Sequence, residues 1–163
     1  MNTELLSIVV PVYNSAETLE DLFEQIQKSL KGKQKFELIL VDDGSKDESW
    51  NEIVALKAAY PNEIKGIQLS RNFGQHNALV CGFTFAEGDL ILTMDDDLQH
   101  PPSQIPKMLD AFHSKNVDVL YGIYVNKQHS AARNVGSQFV QRSSKMVAGN
   151  TGVGSSFRLM KKN

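Results

Sequence analysis

Leu90-Ile91-Leu92-Thr93-Met94-Asp95-Asp96-Asp97-Leu98-Gln99-His100-Pro101-Pro102 passes from an apolar run straight into three carboxylates and closes on two prolines. A run this short, rich in Leu and Ile and without polar alternation, predicts a strand at 90–94 that is covered on both faces. The carboxylates then sit just past its carboxyl end, and Pro101 and Pro102 suit the first turn of a helix.

The pattern repeats on both sides. Apolar runs at 5–10, 36–41, 64–69 and 117–121 are likewise about five residues each and rich in Val, Ile and Leu. Between them Leu19, Leu22, Phe23, Ile26 and Leu30, then Trp50, Ile53, Val54 and Leu56, recur at helical spacing. Strands alternating with helices predict βαβ units: an α/β three-layer domain with a mostly parallel central sheet and helices on both faces. Ser45 with Glu48 reads as a capping box ahead of the second helix, and Gly88 as a helix end ahead of the fourth strand. Val135, Phe139, Val140, Met146 and Val147 permit a helix over 131–148, which Gly136 and paired serines weaken.

With 163 residues, 41% hydrophobic and 22% charged, the chain has the size of a single domain over 1–163. One cysteine, Cys81, in an apolar run excludes a disulfide framework and reads as a small buried hydrophobe in a reducing compartment. No stretch is long and apolar enough to span a bilayer and no signal-peptide pattern opens the chain, so a cytoplasmic location is expected. The run Arg158-Leu159-Met160-Lys161-Lys162-Asn163 has no residue that closes an element, so the chain is expected to be cut short. Charge is distributed unevenly. Residues 1–118 carry all 19 acids against 10 bases, net −9, while 119–163 carry 7 bases and no acid, net +7. Such a segment suggests an anionic partner, or else a solvated basic face.

Parallel α/β sheets bind ligands where strand carboxyl ends meet loops and helix N-termini. Four polar signals fall there: Pro11-Val12-Tyr13-Asn14, Asp42-Asp43-Gly44-Ser45, Ser70-Arg71-Asn72-Phe73-Gly74-Gln75, and the acidic triplet. Three adjacent carboxylates repel unless a counter-charge is present, and a divalent cation supplies one. In extended chain, side chains two apart share a side, so Asp95, Asp97 and Gln99 can converge on one ion while Asp96 points away. With phosphate oxygens they make an all-oxygen shell for Mg²⁺ or Mn²⁺. His100 reads as a turn residue before Pro101 rather than a ligand. Tyr13 can stack on a nucleobase, and Asp42 or Asp43 can accept hydrogen bonds from a base or a ribose, or cap the following helix. Arg71 can offset diphosphate charge or form a surface ion pair.

Together Ile8-Val9-Val10-Pro11-Val12-Tyr13-Asn14, Val41-Asp42-Asp43-Gly44-Ser45, Arg71-Asn72-Phe73-Gly74-Gln75-His76 and the string from Met94 to Pro102 resemble the family 2 glycosyltransferases, which have the GT-A, Rossmann-like fold. The closest look is to bacterial polyprenyl-phosphate glycosyltransferases and dolichyl-phosphate mannose synthase. The resemblance implies a nucleoside site lined by Pro11, Tyr13, Glu17, Asp42 and Asp43. It implies a metal on Asp95, Asp97 and Gln99, with Asp96, at a position often filled by a small residue, either against sugar or phosphate or merely facing solvent. It also implies membrane-associated helices downstream and work at the inner face of the cell membrane.

A sugar-hydroxyl acceptor needs a positioned base, usually a carboxylate, and none follows Asp118. A phosphate monoester, with a second pKa of about 6, is already largely dianionic at neutral pH and needs cations instead. Arg133, Arg142, Lys145 and Arg158 supply them, Arg133 being the first choice. The expectation is therefore inverting transfer from a nucleotide sugar, a UDP-sugar first, to a polyprenyl phosphate, at a membrane surface and without nucleic acid. The alternatives are a family 2 enzyme that extends a cell-surface saccharide, and a non-catalytic nucleotide-binding remnant. A phospho-receiver domain is disfavoured, because Leu69-Ser70-Arg71 stands where its phosphoacceptor Asp would end the third strand.

Overall fold

A computed structural model of the chain describes residues 4–115, 117–122 and 156–162. The elements run β1 (Leu5–Val12), α1 (Ala16–Leu30), β2 (Lys35–Asp42), α2 (Ser49–Ala59), β3 (Ile64–Gln68), α3 (Gln75–Phe85), β4 (Leu90–Thr93), a 3₁₀ turn (Pro102–Gln104), α4 (Ile105–Lys115), β5 (Val119–Tyr121) and β6 (Arg158–Lys161). They form one sheet of order β3-β2-β1-β4-β6-β5. β1 pairs in parallel with β2 and β4, and β2 with β3, whereas β6 runs antiparallel to both β4 and β5. The described residues up to Tyr121 and from Ser156 onward make one compact unit.

Strand alternation sorts the core into two layers. Leu6, Ile8, Val10 and Val12 of β1 pack with the apolar stripe of α1 (Leu19, Leu22, Phe23, Ile26, Leu30), with Ile53 and Leu56 of α2, and with Met108, Leu109 and Phe112 of α4. Val9, Ile39, Val41 and Ile91 face the other way, onto Ala78 and Leu79 of α3. β1, β2 and β4 are thus buried on both faces, which is why their sequences read as nearly continuous apolar runs. Gly82 sets how close α3 comes, since a Cβ there would lie 2.4 Å from Val9 Cγ1 and 3.2 Å from Val41 Cγ2.

The α/β class, the mostly parallel sheet and helices on both faces match the sequence reading. Two local expectations do not. The Ser45/Glu48 capping box is absent: Ser45 Oγ accepts from Asn14 N–H, and Asp47 Oδ1 accepts from Ser49 N–H at 3.0 Å instead. Gly88 is no helix end, because α3 stops at Phe85; its missing Cβ admits Leu5 O and Ser7 N, which a methyl would meet at 2.5 and 2.7 Å. The terminal basic run is the strand β6, with Leu159 fully buried and opposite Leu92 and Leu120. Four residues with charged ends are too few to show a period, so pairing decided what pattern could not. β5 is shorter than expected, and the expected helix over 131–148 lies outside the described residues.

Toward the amino ends of the strands, Glu37 is buried. It accepts from Ser7 Oγ at 2.5 Å and from Glu87 N–H at 2.6 Å, and pairs with Lys65 at 2.7 Å. Burial pushes its carboxyl up, but the hydrogen bonds from Lys65, Ser7 and Glu87 and the Lys65 charge together hold it below the ordinary value.

Candidate functional site

The strand order reverses between β1 and β4, so their carboxyl ends diverge into a crevice, the usual ligand position in such sheets. A cavity of about 330 Å³ lies there. Its walls come from Pro11, Val12 and Tyr13 after β1, Asp43 after β2, Asn72, Gly74 and Gln75 at the start of α3, and Asp95, Asp96 and Asp97 after β4.

The β1 edge is shaped by Asn14, whose φ of 54° turns the chain sharply. Its Oδ1 accepts from Lys46 N–H at 2.8 Å, and its own N–H donates to Ser45 Oγ at 3.0 Å. Ser15 N–H donates to Ser49 Oγ and Ala16 N–H to Asp47 Oδ2, so the amides at the start of α1 are met by the first residue of α2 and the loop before it. Tyr13 is left 43% exposed over the cavity, a ring available for stacking. Glu17, exposed in the first turn of α1, does not line the cavity.

The two acids ending β2 have separate tasks. Asp42 is fully buried; its Oδ1 accepts from Ser45 N–H and its Oδ2 from Gln68 Nε2, so it ties strand ends together outside the cavity wall. Asp43 lines the cavity and accepts from Phe73 N–H at 2.7 Å and Gly74 N–H at 2.9 Å. It fixes the loop that enters α3. Gly44, at φ 71°, lets this loop approach, since a Cβ would sit 2.5 Å from the Arg71 carbonyl carbon. The guanidinium of Arg71 stacks 4.8 Å over the Phe73 ring and is not part of the wall.

The acidic segment is not extended throughout. It bends after Asp95, and Leu98 has φ 57°. Strict alternation is therefore lost, and Asp96 lines the same cavity as Asp95 and Asp97 rather than pointing away. Asp95 Oδ1 accepts from Gln75 Nε2 at 2.6 Å, and its Oδ2 accepts from Ser156 Oγ. Asp96 Oδ2 accepts from Tyr13 N–H at 3.3 Å. Burial pushes the Asp96 carboxyl above the usual range; hydrogen bonds from Ser15 and Tyr13 oppose that rise and the Asp97 charge adds to it. Asp97 is exposed, and its Oδ1 accepts from Gln99 N–H at 3.0 Å. The Gln99 side chain is exposed and outside the wall, and the His100 ring stacks on Phe157 with centroids 5.2 Å apart. Arg133, Arg142 and Lys145 lie outside the described residues, while Arg158 reaches over the Tyr121 ring at 5.7 Å.

Among the described residues no three His, Cys, Asp or Glu side chains close on a point as a self-sufficient metal cage. The wall instead offers hard carboxylate oxygens open to a cavity, a donor set that suits a cation completed by phosphate oxygens. Sequence reasoning placed Asn72 and Gln75 in the third polar strand end without giving them a role, and missed Ser156. Gln75 had a signal, as the first residue after a strand-end loop; Ser156 had none, being brought 61 residues back along the chain by β6.

Comparison with known proteins agrees with this architecture. The model of the family described as Glycosyl transferase family 2 matches residues 7–158. Two relatives are undecaprenyl-phosphate 4-deoxy-4-formamido-L-arabinose transferases. That of Shewanella sediminis is 40% identical over 153 residues, with 93% of this chain and 45% of the relative covered; that of Proteus mirabilis is 42% identical over 136 residues, with 83% and 41% covered. The chain thus spans less than half the length of either. Among solved structures, glucosyl-3-phosphoglycerate synthase from Mycobacterium tuberculosis, in complex with Mn²⁺, UDP-glucose and phosphoglyceric acid, superposes with a TM-score of 0.73 at 17% identity. It covers 98% of this chain and 57% of its own, and the likeness is one of fold, of the GT-A kind.

Proposed function

Because the chain belongs to glycosyl transferase family 2, we propose that it carries the donor site of an inverting, metal-dependent transferase that moves a sugar from a UDP-sugar to a polyprenyl phosphate. The observation that carries this reading is the cavity at the β1/β4 crevice, where an exposed tyrosine and four carboxylates share one wall system. A nucleoside diphosphate has the matching parts: a flat base, a ribose, and charge that requires a cation.

In this reading Tyr13 stacks on the base, and Pro11 and Asp43 border the nucleoside. Asp96, tied to Tyr13, keeps the β1 loop against the diphosphate side. Asp42 and Arg71 support these loops from outside the wall, while Glu17 is an exposed acid in the first turn of α1. Asp95 and Asp97 hold a Mg²⁺ or Mn²⁺, and Gln99, exposed outside the cavity wall, is the further candidate ligand of the segment. Bound there, the cation supplies positive charge that stabilises the departing diphosphate. The solved M. tuberculosis enzyme, with Mn²⁺ and UDP-glucose, supports the choice of metal and nucleotide.

The bond between the anomeric carbon and the diphosphate oxygen breaks as an oxygen of the acceptor phosphate attacks from the opposite face. Negative charge passes from acceptor to leaving group, and no proton has to move. The names of the two undecaprenyl-phosphate transferases support the lipid-phosphate acceptor. So does the acid-free run 119–163, in which Arg133 is the first candidate to grip the acceptor. No helix among the described residues is long and apolar enough to cross a membrane. Work at the cytoplasmic face of the membrane is proposed on the acceptor, since a lipid phosphate meets a water-soluble donor there.

The test is transfer of labelled sugar from UDP-sugars to undecaprenyl phosphate by the full-length gene product. Transfer should disappear with a chelator and return with Mn²⁺. Transfer that survives both chelation and Asp97→Ala would refute the mechanism.

A further inference from the structure

Asp95 differs from its two acidic neighbours in how it is held. Its carboxylate accepts one hydrogen bond on each oxygen, from Gln75 Nε2 at 2.6 Å and from the Ser156 hydroxyl. A carboxylate offers about four acceptor sites, so each oxygen keeps one lone pair directed elsewhere. The donors come from two elements remote in sequence, and both are anchored. Gln75 opens α3, which Gly82 seats on Val9 and whose preceding loop hangs on the Asp43 carboxylate. Ser156 precedes β6, and its carbonyl accepts from Thr93 Oγ1 at 2.5 Å. Asp97, by contrast, takes its hydrogen bond from Gln99 N–H within its own loop.

We propose that Gln75 and Ser156 are positioning residues that hold the Asp95 carboxylate in the orientation in which it ligates the divalent cation. The inference rests on the metal reading above and goes beyond it: Asp95 is the preset ligand, and Asp97 closes on the ion from a loop. Partners that orient a metal ligand are worth about 10- to 100-fold in metal affinity. An adjacent amide and hydroxyl also draw charge from the carboxylate without adding any, so they hold it while the ion is absent.

Mn²⁺ binding read by electron paramagnetic resonance, in the presence of UDP, tests this on the intact chain without any turnover. Gln75→Ala and Ser156→Ala should each weaken Mn²⁺ binding about 10-fold. Ser156→Thr, which keeps the hydroxyl, should restore it, and Asp95→Ala should abolish it. The metal-free unfolding midpoint should stay the same in Gln75→Ala, because that side chain is exposed. If Asp95→Ala loses Mn²⁺ while Gln75→Ala and Ser156→Ala bind as the unmodified chain does, the positioning role is overturned and the metal reading stands. A lowered metal-free midpoint with unchanged Mn²⁺ affinity would likewise reduce both residues to structural ones. No Mn²⁺ binding by the unmodified chain would overturn both. Should Ser156→Ala fail to fold, Gln75→Ala decides alone.

Discussion

At the scale of single residues, the site rests on a division of labour among acids that the sequence presents as equivalent. Asp42 and Asp43 are adjacent, yet one is a buried tie between strand ends and the other both borders the cavity and holds the α3 loop. Asp95, Asp96 and Asp97 are also consecutive, and each has a different hydrogen-bond partner. Two predictions belong here. Asp97→Ala should cut sugar transfer at least 100-fold, the size expected when a metal loses a ligand and with it several kcal/mol of charge stabilisation; steady-state rates at saturating Mn²⁺ would show it. Tyr13→Ala should weaken UDP binding by about 1–3 kcal/mol and Tyr13→Phe hardly at all, because stacking uses the ring and not the hydroxyl; calorimetric titration separates the two.

At the scale of elements, the packing of α3 and the buried Glu37 network are the sensitive points. Gly82→Ala would drive a methyl to 2.4 Å from a stiff valine inside the core, and should cost about 1–3 kcal/mol in urea unfolding. Glu37 is held below its ordinary pKa of 4.5, so its contribution to stability is complete above that value and fades as pH falls through the lower folded one. Unfolding of Glu37→Gln and the unmodified chain should therefore differ at pH 7 and converge in strong acid; a gap independent of pH would contradict the assignment. Strands and helices up to α4 were legible in the sequence because β1, β2 and β4 are buried on both faces and α1 carries a single apolar stripe. The positions of the four polar strand ends followed from them. β6 was not legible, since four residues between basic ends acquire strand character only by pairing with Leu92 and Leu120. The bend at Leu98 was equally silent, because a left-handed leucine leaves no compositional mark, and with it went the true direction of Asp96.

At the scale of the whole molecule, the sheet is built in two stages along the chain. β1 to β4 are parallel strands of βαβ units, β2 and β3 added on one side of β1 and β4 on the other, whereas β6 returns late and inserts itself antiparallel between β4 and β5. Leu159 is the fully buried residue that seats it. Leu159→Ala should lower stability by about 2–5 kcal/mol and, by loosening Ser156, weaken Mn²⁺ binding as well; a loss of stability without any change in metal affinity would separate the two roles. The insertion also has a consequence in time. While a ribosome is still making the chain, the β4 edge stays an open row of backbone donors and acceptors until residues 156–161 have emerged, and the pairing that closes it is among the most distant in sequence. The nascent polypeptide therefore gains the Ser156 hydrogen bond to Asp95 only once residues 156–161 have emerged, so that a product released before them exposes an adhesive edge and leaves that carboxylate held by Gln75 alone.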